Sequence, residues 1–148
     1  HGIYGYLSRL GLEGTYSTLI AGATPHHIAI TYDGDYLKLY LDGLCITGKD
    51  LRNTEFKEFP GPYKLHLGAS LSKSQEKKKS FKGRIHSFHL TRTVIYTKDF
   101  APPSILQVNA DSVVLFDFSE GEGEILHDRS GNENHGTIVG PVWQSVQP

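Results

Sequence analysis

Residues 26–43, HHIAITYDGDYLKLYLDG, constrain the fold more than any other stretch of the chain. Ile28, Ile30 and Tyr32 fall on one side of an extended backbone and His27, Ala29 and Thr31 on the other, the period-two pattern of a half-buried strand. Asp33-Gly34 supplies a tight turn, because Gly tolerates positive φ and Asp hydrogen-bonds its own backbone. Leu37, Leu39 and Leu41 repeat the alternation, and Asp42-Gly43 makes a second turn before Leu44-Cys45-Ile46. The expectation is a three-stranded antiparallel meander.

The remaining chain is consistent with one all-β domain spanning 1–148, long enough for a substantial core. The 16 glycines, the 11% aromatic content and the absence of methionine suit a turn-rich β protein. A net charge of -1 gives no electrostatic case for nucleic acid or an anionic membrane surface. No apolar run approaches a membrane-spanning length, so membrane insertion is not expected. No signal peptide is visible, and a secreted precursor would have lost one. With one cysteine there is no internal disulfide, and Cys45, between Leu44 and Ile46, reads as a small core or half-buried residue.

Glycines at 2, 5, 11, 14 and 22 break the opening segment into short runs, read as strands near 4–9 and 15–21. Residues 49–59 are charged and aperiodic and read as a loop, with a helical turn as an option at 50–54. Tyr63, Leu65 and Leu67 alternate as a strand. The lysines 77–79 between serines read as a solvated hairpin loop, or as a basic patch for acidic glycans. Residues 81–91 form the next strand, and Ile85 is out of phase with Phe88 and Leu90, which places a bulge near 86–87 or covers both faces. Pro102-Pro103 rules out a central strand there, and 104–110 is a short helical or irregular connector. Val114, Phe116 and Phe118 alternate as a strand, residues 120–123 turn, and 136–142 make a further strand ending near Trp143.

Several of these segments resemble laminin-G-like domains of the concanavalin-A-like lectin and glucanase superfamily. The central hairpin H-H-I-A-x-T-Y-D-G … L-x-L-Y-x-D-G, the pair KLHLG and FKGRI, and YTKDFAPP at 96–103 all resemble that family's motifs. So do Phe118, Glu120, Gly121, Gly123, Asp128, Ser130, Gly131, Asn132, Gly136, Gly140 and Trp143, which match an opening motif. The resemblance implies a two-sheet antiparallel jelly-roll sandwich. An opening motif placed after a closing one implies either a permuted strand order, with residues 111–143 supplying an edge strand, or a fragment cut across two repeats. The permuted order is favoured, because an unpaired sheet edge is prone to aggregate.

Function reads as recognition rather than catalysis. Glycosidases of this superfamily carry paired carboxylates on one rigid strand, as E-x-D-x-x-E, whereas Glu120-Gly-Glu122-Gly-Glu124 is a glycine-rich turn. No Ser-His-Asp order has supporting context, and no two histidines are expected on one face, so zinc is not expected. Related jelly rolls often bind one calcium ion, which the resemblance assigns to Glu120, Asp128 and Asn132. The alternative is that Asp128 to Gly131 is simply a turn whose Asp side chain bonds the backbone. Sugars stack on aromatic rings and bond to amides and carboxylates, and Tyr4, Tyr6, Tyr16, Tyr36, Tyr63 and Trp143 are available. Tyr36 and Tyr40, with Lys38 between them, share the face opposite Leu37, Leu39 and Leu41, and with Trp143 they are the expected ligand contacts. The partners implied are carbohydrate or an extracellular protein, in a secreted or cell-surface setting. A spacer domain without small ligand and a glycoside hydrolase are the alternatives.

Overall fold

The computed structural model describes residues 24–54, 65–70 and 79–144. Among these residues the architecture is all-β, with four antiparallel sheets and no helix. The chain divides into two compact units, His1–Arg84 with Tyr96–Pro102, and Ile85–Ile95 with Pro103–Pro148. The strands read near 4–9 and 15–21, and the lysine loop at 71–78, lie outside the described residues.

The expected meander organises the first unit. β1 (Ile28–Tyr32), β2 (Tyr36–Leu41) and β3 (Leu44–Asp50) pair in that order, with Ile30 opposite Leu39 and Leu39 opposite Thr47. The first turn is centred one residue later than Asp33-Gly34. Asp33 N–H donates to Tyr36 O at 3.3 Å, so Gly34 and Asp35 are the loop residues, with Gly34 at φ +102°. Asp33 fastens the turn from its rim, its Oδ1 accepting the amides of Asp35 and Tyr36 at 3.0 and 2.6 Å. The second turn is Asp42-Gly43 as read, both residues at positive φ (50° and 84°), the combination a two-residue hairpin of the I′ kind needs.

β3 runs on to Asp50, past the Ile46 boundary the sequence implies. The register shift between Leu39 and Tyr40 leaves Ile46 as the extra residue of a bulge. Beyond it the chain re-pairs with β2, and Thr54 N–H closes on Leu51 O at 2.9 Å as a single turn. The alternation of β1 is present, yet Ile28, Ile30 and Tyr32 are exposed while Leu37 and Leu39 of the same face are buried. β1 is the outer strand of the ladder and β2 the inner one, so β2 is covered from both sides and β1 is not. Cys45, expected in or near the core, is exposed, because β3 is the ladder's other outer strand.

The opposite face of β2 is covered by Tyr96–Pro102, which crosses it as a strap. Phe100 N–H donates to Gly43 O at 3.0 Å, and Cys45 N–H donates to Asp99 Oδ1 at 2.9 Å. The approach is close enough that a Cβ on Gly43 would lie 1.8 Å from Phe100 O. A short ribbon of β4 (Ala69–Ser70) and β5 (Lys79–Ser80) belongs to the same unit. It begins after Leu65 and Leu67, which are not in a strand; Tyr63 lies outside the described residues.

In the second unit β6 (Phe88–Thr91) pairs with β7 (Ser112–Phe116), so the segment after 111 supplies a strand partner for 88–91. The phase break at 86–87 marks where β6 begins, not a bulge within a longer strand; the ladder's irregularity falls at Leu90/Thr91. The connector 104–110 is irregular. Val114, Leu115, Phe116 and Leu126 are buried, and the rings of Phe88 and Phe116, paired across the ladder, lie 6.3 Å apart. β8 (Ile125–Leu126) and β9 (Gly136–Thr137) form a ribbon whose Gly136 lies against the core: a Cβ there would be 3.2 Å from the Phe116 ring. The strand expected over 136–142 stops at Thr137, and Val139 and Val142 are exposed.

Two glycines separate backbone strain from strap contact. Gly34→Ala introduces positive-φ strain into open space and should lower unfolding stability by about 1–2 kcal/mol. Gly43→Ala adds about 1–3 kcal/mol of overpacking against Phe100, so its loss in urea denaturation should clearly exceed that of Gly34→Ala.

Candidate functional site

The face holding Tyr36, Lys38 and Tyr40 is where ligand contacts were expected, and the strap occupies most of it. Tyr40 is 0% exposed, its ring tilted against Phe100 at 5.6 Å and its hydroxyl donating to Tyr96 O at 3.4 Å. Lys38 Nζ donates to Thr97 O at 3.2 Å. Tyr96 and Phe100 stack on each other with centroids 3.5 Å apart. Two of the expected ligand contacts thus hold the protein's own backbone.

Tyr36 differs. It starts β2 opposite the last residue of β3, Asp50, and remains 36% exposed at the end of the ladder. The Arg52 guanidinium carbon lies 5.2 Å from its ring centroid, a cation–π arrangement. Arg52 is fixed there by Asp50: its Nε donates to both carboxylate oxygens at 3.0 Å, its Nη2 to Oδ2, and its amide to Oδ1 at 3.0 Å. Hydrogen bonds from the Arg52 side chain and then its amide hold the Asp50 carboxyl down at about 2, and the same pairing raises Arg52. The corner therefore carries a half-exposed ring beside an exposed, hydrogen-bonded carboxylate and guanidinium. Asp50 and Arg52 were hidden in the sequence because they fell in what reads as a loop.

In the second unit, the segments on either side of β8 carry the three expected calcium ligands, Glu120 before it and Asp128 and Asn132 after it. Asp128 is 8% exposed. Its Oδ1 accepts the amides of Leu115 and Ser130 at 2.9 and 2.8 Å, and its Oδ2 accepts the Ser130 hydroxyl at 2.7 Å and the Asn134 amide at 3.1 Å. Burial pushes this carboxyl up, but the Leu115, Ser130 and Asn134 amides and the Ser130 hydroxyl together outweigh it and hold it at about 2. Asn132 turns its Nδ2 toward the Ser112 and Val113 carbonyls at 2.8 and 3.2 Å. Glu120 Oε1 accepts the His127 amide at 2.9 Å and lies 3.6 Å from Arg129, while Oε2 is buried without a partner.

This donor set does not fit calcium. Four N–H and O–H groups already fill the lone-pair positions of Asp128, and Asn132 presents donors to its neighbours. Among the described residues no three His, Cys, Asp or Glu side chains gather as a metal site. The loop instead works as a backbone fastener, the turn alternative left open by the sequence. Trp143 adds to it: the half-buried indole donates from Nε1 to Gly123 O at 2.8 Å and meets Phe118 edge-on at 6.5 Å.

Two histidine contacts were not anticipated. His127 and His135 sit opposite each other just beyond the β8–β9 pairing, with centroids 5.4 Å apart, so two histidines do share a face. Asp128 N–H donates to His135 Nδ1 at 3.1 Å, which places that neutral ring's proton on Nε2. The signal was the equal spacing of the two from a ribbon whose register the sequence does not show. His89 Nε2 lies 2.8 Å from Ser112 Oγ, but Ser112 is buried and, among the described residues, no carboxylate bonds His89 Nδ1. Burial pushes His89 down. Tyr4, Tyr6, Tyr16 and Tyr63 lie outside the described residues.

Among the described residues no helix is long and apolar enough to cross a membrane. No family model, curated protein or solved structure matches the chain.

The Asp128 network yields a pH prediction with a defined sign. Its folded pKa is below the ordinary 3.8, so the carboxylate's stabilisation is complete above that value and is lost as pH falls toward about 2. Asp128→Asn should destabilise by about 1–3 kcal/mol at neutral pH, because one acceptor becomes a donor facing donors. Urea denaturation between about pH 5 and about pH 2 should show a steeper acid loss in the natural protein than in the variant.

Proposed function

We propose that this chain is a noncatalytic recognition module that binds carbohydrate at the Tyr36 corner, within a permuted laminin-G-like jelly-roll sandwich of a secreted or cell-surface protein. The observation that carries this reading is the half-exposed Tyr36 ring beside the Asp50–Arg52 pair. An aromatic surface suits the apolar side of a pyranose, and the Arg52 guanidinium N–H groups not turned to Asp50 suit its hydroxyls. The antiparallel all-β architecture and the motif resemblance also support the reading.

A spacer domain without small ligand is the second reading, and a specific observation favours it. Lys38, Tyr40 and Trp143 each bond the protein's own carbonyls. A glycan array with and without calcium separates the two. The recognition reading expects binding to one glycan class, unchanged by chelator and weakened about tenfold or more by Tyr36→Ala, the loss of about 1.4 kcal/mol of stacking and burial. Binding to no glycan in either condition would leave the spacer reading. Binding unaffected by Tyr36→Ala would remove the Tyr36 corner as the site.

A further inference from the structure

His27 is half-buried against the strap. Its ring meets Tyr96 edge-on at 6.0 Å and Phe100 edge-on at 5.5 Å, and its Nδ1 is buried with no hydrogen-bond partner. The neutral ring tolerates this, with its proton on Nε2 and Nδ1 bare. A second proton has only Nδ1 to occupy, where it becomes a buried cationic donor facing no acceptor, an expensive arrangement. The neighbouring carboxylate relieves it only in part: Asp42 Oδ1 accepts from the His27 amide at 2.8 Å and Oδ2 pairs with His26 Nδ1 at 2.7 Å, and neither oxygen is bonded to the His27 ring. The enclosure opens by lifting its wall, the segment Tyr96–Pro102.

We propose that Tyr96–Pro102 is an acid-released strap, kept closed at neutral pH by the uncharged His27 and uncovering Lys38 and Tyr40 when it lifts. The inference stands whether or not Tyr36 binds a sugar.

The charged groups on the segments packed around His27 come from four places. Asp42 lies in the second turn and His26 precedes β1. Lys38 Nζ of β2 is anchored on Thr97 O, and Asp99 of the strap accepts from Cys45 N–H. Tyr96 contributes a phenol that burial pushes up. For His27, burial pushes the imidazole below its ordinary 6.5, and the Asp42 charge pulls it partly back. Stability from the closed strap is therefore complete above about 6.5 and declines as pH falls below it, because the open state takes up the proton more readily.

The Phe100 and Cys45 amides report the closed strap directly, since their acceptors are Gly43 O and Asp99. Hydrogen exchange, corrected for intrinsic rates, is compared at about pH 7.5 and about pH 5. Protection of these two amides should fall severalfold more on acidification than that of the β1–β2 ladder amides. His27→Phe should abolish the difference, and His26→Gln should retain it. An equal acid loss in His27→Phe, or loss of the response in His26→Gln, overturns the proposal. If His27→Phe does not fold, an NMR titration of the natural protein decides: the His27 ring and the Phe100 amide should share one midpoint, and separate midpoints overturn it.

Discussion

The close approach of Phe100 to Gly43 is the contact on which the first unit depends. Both residues of the second turn adopt positive φ, which suits the right-handed twist of the hairpin, and the missing side chain of Gly43 leaves space for a backbone carbonyl. The Phe100 amide then reaches Gly43 O, and the Asp99 side chain reaches the Cys45 amide. Once docked there, the strap stacks Tyr96 on Phe100 and shuts Tyr40 away from water. A turn residue thus admits the segment that buries the second face of β2.

The same economy recurs in the use of aspartate. Asp33 fastens the first turn, Asp42 bridges His26 and His27, Asp99 fixes the strap, and Asp128 draws Leu115, Ser130 and Asn134 together. In each case a short carboxylate accepts main-chain amides that no ladder satisfies, a charge-assisted bond stronger than its neutral counterpart. A cluster of acidic residues in such a chain is therefore weak evidence for a cation. The direction of the surrounding N–H groups decides, and around Asp128 they point at the carboxylate.

Much of the first unit was legible because its determinants are local. Alternation and two Asp and Gly pairs give β1, β2 and both turns, and only the centre of the first turn shifts, since Asp33 acts through its side chain from the rim. What was not legible is non-local. The alternation of Leu37, Leu39 and Leu41 against Tyr36, Lys38 and Tyr40 reads as one buried and one open face. Nothing in that pattern announces that a segment some 55 to 60 residues later covers the second one. The exposed side of β1 and the exposed Cys45 follow from strand order, which periodicity does not encode. In the second unit β8 escaped notice because a two-residue strand carries no period, whereas β9 lies within the strand expected over 136–142; the His127–His135 pairing, which follows from their register, went with β8.

Covering one face of a sheet changes where recognition can take place. A broad aromatic face offers area, but Tyr40 is committed to Phe100 and Lys38 to Thr97, so in the closed form that area is internal. What remains at the end of the β2–β3 ladder is small: one ring, one guanidinium and one carboxylate, in contact with each other and not with the strap. A site of that size gains by preorganisation, not by buried surface, and contributes selectivity through the fixed direction of its donors and acceptors. With Tyr40 and Lys38 committed to the strap, the aromatic and charged surface left open on this side of the sheet is confined to the Tyr36 corner.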